Sequence, residues 1–307
     1  MNTPQVLPRA IARPLRPLRP RIPPIGSSVF KHLVLILVGA IVAYPFYFMV
    51  TSSLKEFFEA TATPPTFFPT SLHFENYAEA WSRQPWGRFF ANTVFIAGTS
   101  VVGEIVIAVL AAYAFAQMNF RGKNVVFALF LATYMMPGEA TLIPNFVMMS
   151  KAPPGVNPFF PIPRLNLYDT YAAQIVPFLA SAFSVFLLRQ QFLAIPKELR
   201  DAALIDGAGH VRFLWSVVVP ISIPALITVA ILSFYTSWNS FQWPFIITSS
   251  EAVRPVQVGL NAFRAEAGSQ YHLLMAAASF VVAPIILLYL VGQRYLVQGV
   301  ARTGIRG

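Results

Sequence analysis

Long apolar stretches with few charges are the feature of this chain that most restricts how it can fold. A helix needs about 20 mainly apolar residues to cross the hydrocarbon layer of a bilayer. Soluble domains carry about 25% charged residues, whereas this chain of 307 residues is 56% hydrophobic and 11% charged. A single aqueous core cannot bury so much apolar surface, so the sequence predicts an all-α integral membrane protein.

Six stretches have the length and composition of transmembrane helices. The predicted spans are Val29–Thr51, Phe89–Gln117, Asn124–Ile143, Tyr171–Leu193, Leu214–Trp238 and Leu273–Leu296. The third is the weakest, because Pro137 and Gly138 interrupt it. The first is expected to be an anchor, since no small-residue cleavage site follows it. Residues 1–28 are predicted to form a disordered, basic, proline-rich arm, and residues 29–307 a transmembrane domain.

The loops differ in charge, which predicts their orientation. One set comprises the arm, the turn at Asn119–Lys123, the segment Lys197–Arg212 and the C-terminus, and it carries a large excess of Lys and Arg. The other set has as many cations as acids. Cytoplasmic loops are the ones enriched in Lys and Arg, so both termini are predicted to be cytoplasmic. The net charge of +10 therefore reflects topology; no nucleic-acid partner is expected, and the arm should lie against anionic membrane lipid.

The sequence predicts no metal, cofactor or catalytic site in this chain. It contains no cysteine, and its four histidines form no pair at i, i+3 or i, i+4, the spacings of helical metal ligands. The pair Gly122-Lys123 lacks the preceding glycine and the following Ser or Thr of a phosphate-binding loop. Energy for any active process would have to come from a partner.

A polar segment separates the fourth and fifth predicted spans. Glu198–Ile205 has the periodicity of an amphipathic helix, and Gly207 supplies the backbone freedom that ends one. Small residues, namely Ala202, Ala203, Gly207 and Ala208, would let another surface approach closely. A connector that merely rests on lipid headgroups has the same pattern. The residues by themselves leave both interpretations open.

The spacing of this segment resembles that of a known family. Asp201-Ala202-Ala203, three residues, Gly207, nine residues and Val217-x-Val219-Pro220 match the EAA loop of ABC-importer permeases, with Asp in place of Glu. The whole chain after the arm resembles the smaller permease subunit of the maltose, trehalose and glycerol-phosphate type importers. The similar stretches are Asn76–Trp81, Phe89–Thr93, Ala111–Asn124, Met135–Pro144, Ile195–Ala208, Ser237–Pro244, Leu273–Ala278 and Gln293–Val300. Lys151–Arg164 departs from the family, as a longer outer loop.

The resemblance implies a function and a set of partners. The polar segment would be a cytoplasmic coupling helix between spans four and five, seated in a groove on an ATP-hydrolysing subunit. Its contact residues would be Glu198, Asp201, Ala202, Ala203, Asp206, Gly207 and Ala208. The other implied partners are a second, different permease subunit, two copies of the ATP-binding subunit, which would hold ATP and Mg, and an extracytoplasmic solute-binding protein. The chain itself would be a multi-pass, non-enzymatic component of a bacterial or archaeal cytoplasmic (inner) membrane that moves a sugar or related glycoside by alternating access.

Polar residues within the spans are candidates for the substrate pathway. These are Asn92, Glu104, Glu139, Tyr235, Trp238, Asn239 and Trp243. An unpaired carboxylate at the position of Glu104 would cost about 2.5–3.5 kcal/mol, so a structural hydrogen bond to a neighbouring helix is the competing interpretation. Glu139 fits an ordinary acid at a helix end, and the tryptophans fit an interfacial belt.

Two other classes of membrane protein predict features that this sequence does not show. An ion-coupled secondary transporter could use Glu104 as a proton or sodium site, but such transporters have repeats with paired broken helices, and no convincing pair is visible. A membrane-embedded enzyme needs several reactive groups at one depth, and the spans offer only Glu104 and Glu139, well apart. Neither class explains the polar segment, so an importer permease is the leading hypothesis.

Overall fold

The structure, a computed structural model, describes the backbone of residues 25–150, 165–267 and 270–301. Most of the predicted arm (residues 1–28) and all of Lys151–Arg164 lie outside these ranges, so the predictions for them stay predictions. The chain divides into two compact units, and the boundary lies between Phe48 and Met49. The first contributes the helix up to Phe48, and the packing described below belongs to the second.

All regular elements in the described ranges are helical, which confirms the all-α prediction for that part of the chain. The helices are α1 (Ile25–Ser53), α2 (Phe57–Ala60), α3 (Glu75–Ser82), α4 (Trp86–Gln117), α5 (Lys123–Tyr134), α6 (Gly138–Met149), α7 (Tyr171–Ile175) with a 3₁₀ turn (Val176–Phe178), α8 (Ala182–Leu193), α9 (Lys197–Ile205), α10 (His210–Phe213) with a π turn (Leu214–Val218), α11 (Val219–Ile221), α12 (Ile223–Trp238), α13 (Gln242–Ile247), α14 (Val256–Ala267) and α15 (Tyr271–Ala301).

Three described helices are long and apolar enough to cross a membrane unbroken: Val29–Ser53, Trp86–Gln117 and Tyr271–Gln293. Three bent pairs qualify if each counts as one span. They are α5 with α6, bent by 96°, α7 and its 3₁₀ turn with α8, bent by 45°, and α10–α11 with α12, bent by 77°. These six candidates correspond in order to the six predicted spans. The span count and the cytoplasmic position of the termini stay predictions.

Proline accounts for two of the bends. Pro137 lies between α5 and α6; its ring removes a backbone donor and disfavours a helical residue before it. The third predicted span is therefore two helices at a sharp angle rather than one straight helix. Pro220 and Pro224 flank Ser222, where α11 ends and α12 begins, and the π turn precedes this second bend.

Helix α4 is the central element of the second unit, and it packs chiefly against α8 and α12. It contains no proline, so 32 residues run without a break. Near its C-terminal end, one buried cluster joins Tyr113 to Phe192 of α8 and Phe213 of α10. Near its N-terminal end, a second cluster joins Trp86 and Phe89 to α3, α14 and α15. Helix α4 therefore connects two separate cores.

Gly259 allows α14 to pack closely on α4, and its replacement by alanine is predicted to destabilise the protein. A Cβ at position 259 would lie 2.3 Å from Cδ2 of Phe89, whose ring is 1% exposed and packs edge-on against Trp86. Overpacking of this kind costs about 1–3 kcal/mol, so Gly259→Ala should lower the midpoint of thermal unfolding. Gly98→Ala is the matched control, because its Cβ would meet nothing within 4 Å. Equal midpoints for the two variants would contradict this packing.

Candidate functional site

The segment Lys197–Ala208, called the α9 segment below, contains all seven residues that the sequence analysis assigned to coupling. Helix α9 begins after Pro196, whose extended backbone stops the preceding chain from continuing as helix. Glu198 lies in the first turn, where a carboxylate interacts favourably with the helix dipole. No residue of α9 is buried.

The α9 segment ends in a Schellman motif, as the glycine predicts. The N–H of Ala208 donates to the carbonyl oxygen of Ala203 at 2.8 Å, and the N–H of Gly207 donates to that of Leu204 at 3.0 Å. Gly207 has a φ of 70°, a left-handed conformation that glycine adopts without steric cost. The backbone therefore turns sharply at a fixed point and returns toward α10.

The small residues of the α9 segment divide between two surfaces. Ala203 is half-buried and packs against the core cluster at the C-terminal end of α4, whereas Ala202 is exposed. A Cβ added at Gly207 would meet nothing within 4 Å. Large apolar side chains surround this open surface, with Ile205 87% and Val211 73% exposed. Exposed apolar side chains of this kind are typical of surfaces that contact another protein or the membrane.

Helix α9 is anchored to the end of α4. Nη1 of Arg200 donates to the carbonyl oxygen of Gln117, the last residue of α4, at 2.7 Å. Such terminal carbonyls have no partner within their own helix. The side chain of Gln117 donates to the carbonyl oxygen of Phe192 on α8 at 2.7 Å. Beyond the turn, the hydroxyl of Tyr113 on α4 lies 2.9 Å from Nδ1 of His210. The α9 segment is therefore bonded directly to α4, and through Gln117 it is connected indirectly to α8.

A groove of about 670 Å³ opens between α4, α8 and α12. This volume falls within the range of about 300–1,000 Å³ that is usual for small-molecule sites. Hydroxyl groups are frequent in its lining, with contributions from Thr93, Ser100, Thr133, Tyr134, Ser181, Ser184, Ser233, Thr236, Ser237 and Ser240. These hydroxyl groups lie among apolar lining residues such as Ile96, Leu232 and Pro244, so the groove offers both hydrogen-bonding and apolar surface.

Two helix breaks border the groove. Thr133, Tyr134 and Met136 line it where α5 ends, and the stretch Pro177–Ser184 lines it across the break before α8. Irregular backbone at membrane depth is tolerated where it lies against protein or lines a water-filled cavity. Both breaks therefore lie beside the groove.

Glu104 lies in the groove lining, near the middle of α4, and is 8% exposed. Its Oε1 accepts a hydrogen bond from the hydroxyl of Ser184 on α8 at 2.5 Å. The hydrogen bond to a neighbouring helix, which the sequence analysis held open as the alternative, is therefore present. The carboxylate faces a polar groove as well.

The other six predicted pathway residues lie outside the groove lining. Trp238 and Trp243 are core residues, 2% and 4% exposed, and Nε1 of Trp243 donates to the carbonyl oxygen of Ala173 at 3.0 Å. Tyr235 and Asn239 are exposed near the end of α12, and Glu139 is exposed in the first turn of α6. A substrate contact by any of these five residues stays a prediction.

Asn92, the sixth of these predicted pathway residues, holds in place the loop that contains residues 252–254. Its Nδ2 donates to the carbonyl oxygens of Ala252 and Arg254 at 3.0 and 2.9 Å, and its Oδ1 accepts from the hydroxyl of Tyr171 at 2.7 Å. Gln174 adds a bond from Nε2 to the carbonyl oxygen of Val253 at 3.0 Å. Asn92 is 4% exposed, and both its amide nitrogen and its amide oxygen are hydrogen-bonded, which gives it a structural role; a substrate contact by Asn92 stays a prediction.

Asp169 fixes the start of the same loop. Its Oδ1 accepts from the backbone N–H groups of Ser249 and Ser250 at 2.8 and 3.0 Å. Burial alone would raise the pKa of this carboxyl, but these hydrogen bonds outweigh it and lower the pKa below its ordinary value of 3.8. The carboxylate therefore stabilises the fold above that value, and the contribution is lost as the pH falls through the lower pKa of the folded protein.

Asp169→Asn is predicted to loosen the loop at neutral pH. Bonds to an ionised acceptor are worth about 1.5–3 kcal/mol, so the amide hydrogens of Ser249 and Ser250 should exchange at least about tenfold faster. Hydrogen–deuterium exchange at pH 7 measures this directly. Asp206→Asn, which removes the same charge at the α9 segment, should leave their exchange unchanged. Equal exchange in Asp169→Asn and the unmodified protein would show that the carboxylate does not hold the loop.

Comparison with known proteins identifies the family. Residues 104–302 match the family described as the inner membrane component of binding-protein-dependent transport systems. The chain belongs to this family. The matched range contains Glu104, the α9 segment and the parts of α8 and α12 that line the groove.

Relatives of this transport component include curated permeases. The sn-glycerol-3-phosphate transport system permease protein of Yersinia pestis bv. Antiqua (strain Antiqua) is 30% identical over 89% of this chain and 96% of its own length. The arabinooligosaccharides transport system permease protein of Halalkalibacterium halodurans is 30% identical over 88% of this chain and 93% of its own length. The resemblance to sugar and glycerol-phosphate importer permeases is thereby confirmed.

A solved structure shares the fold of this transport component. It is that of a bacterial ABC transporter involved in the import of the acidic polysaccharide alginate. The matched chain is 23% identical, with a TM-score of 0.74, and the likeness covers 88% of this chain and 96% of that one.

Apart from Glu104, the residues that line the groove of this transport component were not predicted from the sequence; Tyr134, Gln174, Phe183 and Ser184 are among them. Ser181 precedes α8 and Ser184 lies in its first turn, within an apolar stretch. This spacing is a sequence signal for the start of a helix, because Oγ of Ser181 accepts from the N–H of Ser184 as a helix cap. The proximity of Tyr134 to Phe183 depends on the packing of α5 against α8 and has no local sequence signal.

Proposed function

We propose that the chain is a transmembrane permease subunit of a binding-protein-dependent ABC importer, and that it moves a sugar or related glycoside by alternating access driven by ATP hydrolysis on partner subunits. The family and the arabinooligosaccharide permease relative support the transport of carbohydrate. The hydroxyl-lined groove between α4, α8 and α12 supplies this subunit's half of the pathway.

The observation that carries the proposal is the α9 segment. It is an exposed helix with a fixed end at Gly207, an open surface at Ala202 and a direct hydrogen bond to α4 through Arg200. We assign it as the coupling helix that an ATP-hydrolysing subunit contacts. The residues assigned to this contact are Glu198, Asp201, Ala202, Asp206, Gly207 and Ala208, with Ala203 as the packing residue behind them.

Helix α4 offers a physical route from the α9 segment to the groove. Gln117 accepts the bond from Arg200, and Glu104 lines the groove 13 residues earlier on the same helix. At about 1.5 Å per residue the two positions lie about 20 Å apart. Because α4 is unbroken and packed on α8 and α12, a displacement of its end would move the groove wall rather than bend the helix.

The proposal includes the partners and the location. A second, different permease would supply the facing half of the pathway, and two ATP-binding subunits would hold ATP and Mg. An extracytoplasmic solute-binding protein would deliver the substrate, which the family description supports. The complex would lie in the cytoplasmic (inner) membrane of a bacterium or archaeon, with the α9 segment and both termini in the cytoplasm, as the loop charges favour.

The subunit composition tests this proposal. The tagged chain would be purified from its own cells in mild detergent and weighed intact by native mass spectrometry. The expected mass contains this chain, one different permease and two ATPase subunits, and deletion of the gene should abolish ATP-dependent uptake of one sugar in a panel. A lone chain or a homo-oligomer, reproduced in lipid discs, would refute the proposal.

A further inference from the structure

We propose that the groove recognises an uncharged sugar ring and rejects anionic solutes, with Glu104 and Gln174 as hydrogen-bond acceptors and the rings of Tyr134 and Phe183 as an apolar platform. This inference rests on the proposed function, because it assigns the substrate class and the recognition residues of the same pathway.

Two buried acceptors lie in the groove lining. Glu104 uses Oε1 to accept from Ser184, and a carboxylate has about four acceptor sites, so capacity remains for ligand hydroxyls. Gln174 is 3% exposed, and its Nε2 donates to the carbonyl oxygen of Val253. Its Oε1 is buried without a hydrogen-bond partner among the described residues. A buried acceptor without a partner is unfavourable, so a small rotation of the Gln174 side chain that brings Oε1 to a donating ligand hydroxyl in the groove would relieve it.

The charge of the groove favours a neutral ligand. Glu104 is the one ionisable carboxyl among the described residues that line the groove, and that lining includes no Lys or Arg. A phosphate or uronate would therefore face a carboxylate of the same sign, without a cation to compensate it in a poorly solvated site. Sugar hydroxyls donate as well as accept, so they match both the acceptors and the serine hydroxyls of Ser100 and Ser237.

An aromatic pair supplies the remaining feature of a sugar site. The rings of Tyr134 and Phe183 stack with centroids 6.0 Å apart and planes at 28°, and both line the groove. Pyranose rings present C–H groups on their faces, which pack well on aromatic surfaces. A small anion such as a phosphate has no comparable apolar face. The combination of ring platform and buried acceptors therefore distinguishes a sugar from glycerol phosphate, which the Yersinia relative is named for.

The test is equilibrium binding to the assembled transporter in lipid discs, which hold no ion gradient and contain no solute-binding protein. The neutral probes are maltotriose, arabinotriose and raffinose; the anionic probes are glycerol 3-phosphate and a mannuronate trisaccharide. At least one neutral probe is expected to bind and neither anion. Glu104→Gln keeps the size of the side chain and the bond from Ser184, yet should weaken the best neutral probe at least about tenfold.

Two control variants distinguish a loss of sugar recognition from a general effect of mutation on the protein. Glu139→Gln removes the same charge from an exposed position outside the groove and should leave binding unchanged. Tyr134 is 63% exposed, so the fold should tolerate its replacement; Tyr134→Phe should retain binding, whereas Tyr134→Ala should weaken it several-fold.

Each contrary result overturns the inference. An anion that binds as tightly as the best neutral probe, unchanged binding in Glu104→Gln, or no binding by any neutral probe would do so. If the ATPase subunits are present in the discs, these results refute the sugar site alone. If no ATPase subunit co-purifies, the proposed function itself has failed.

Discussion

Replacing Ala202 with tryptophan is expected to abolish ATP-driven uptake, with a loss of at least about a hundredfold, while the protein still folds and inserts. Ala202 is exposed within α9, so the isolated subunit has room for the indole ring. A partner that packs closely on this surface has no such room, and the loss of a central contact costs about 2–4 kcal/mol or more. Uptake and co-purification of the ATPase subunits measure the effect.

A small substitution at the same position is the control. Ala202→Ser keeps the side chain small and changes helix propensity only slightly, so it should retain uptake and assembly. Normal assembly and transport in Ala202→Trp would remove the α9 segment from the interface. A Trp variant that fails to insert would make the measurement at position 202 uninformative, and Asp201→Trp, at an exposed position of the same helix, would then test the exposed side of α9.

Replacing Arg200 with glutamine is expected to uncouple hydrolysis from transport. The variant loses the bond from Nη1 to the carbonyl oxygen of Gln117, which joins α9 to α4. A hydrogen bond from a charged donor contributes about 1.5–3 kcal/mol to stability. Without this bond, we expect α9 to move without a matching displacement of α4. The sugar transported per ATP hydrolysed should fall about tenfold, although the ATPase subunits still bind.

Lys197→Gln provides the matched control, since it removes one positive charge from the first turn of the same exposed helix. Sugar uptake per ATP in this variant should equal that of the unmodified protein. Proteoliposomes with measured uptake and hydrolysis give the ratio. Equal losses in the two variants would show that the charge matters to docking and that the bond to α4 does not transmit motion.

Local sequence signals predicted the parts of the fold that depend on short stretches. The apolar run that ends at Gln117 became α4, and the helix end at Gly207 formed because only a left-handed residue closes the Schellman motif there. Pro137 correctly marked a weak point in the third predicted span. The size of the bend, 96°, depends on the packing of α5 and α6 and could not be predicted from the proline.

Residue type did not reveal which of the candidate residues are buried. Trp238 and Trp243 have the side chains of sugar sites, yet both are buried, because α12 and α13 turn these rings into the protein. Asn92 is polar within a span for a different reason: it binds the carbonyl oxygens of a distant loop. Gln174 and Phe183 reach the groove only through the break before α8. Tertiary contacts, which leave no local periodicity, decided each of these positions.

Site-specific crosslinking at position 202 tests the coupling assignment most directly. A photoreactive amino acid would replace Ala202 in the native membrane, and another would replace the exposed Glu139 as the comparison site. The coupling assignment predicts a crosslink from position 202 to an ATP-binding subunit, with a yield that changes between nucleotide-free and ATP-bound membranes, and none to that subunit from position 139. Crosslinks from position 202 to lipid alone, in both nucleotide states, would contradict it and leave the α9 segment as a surface connector.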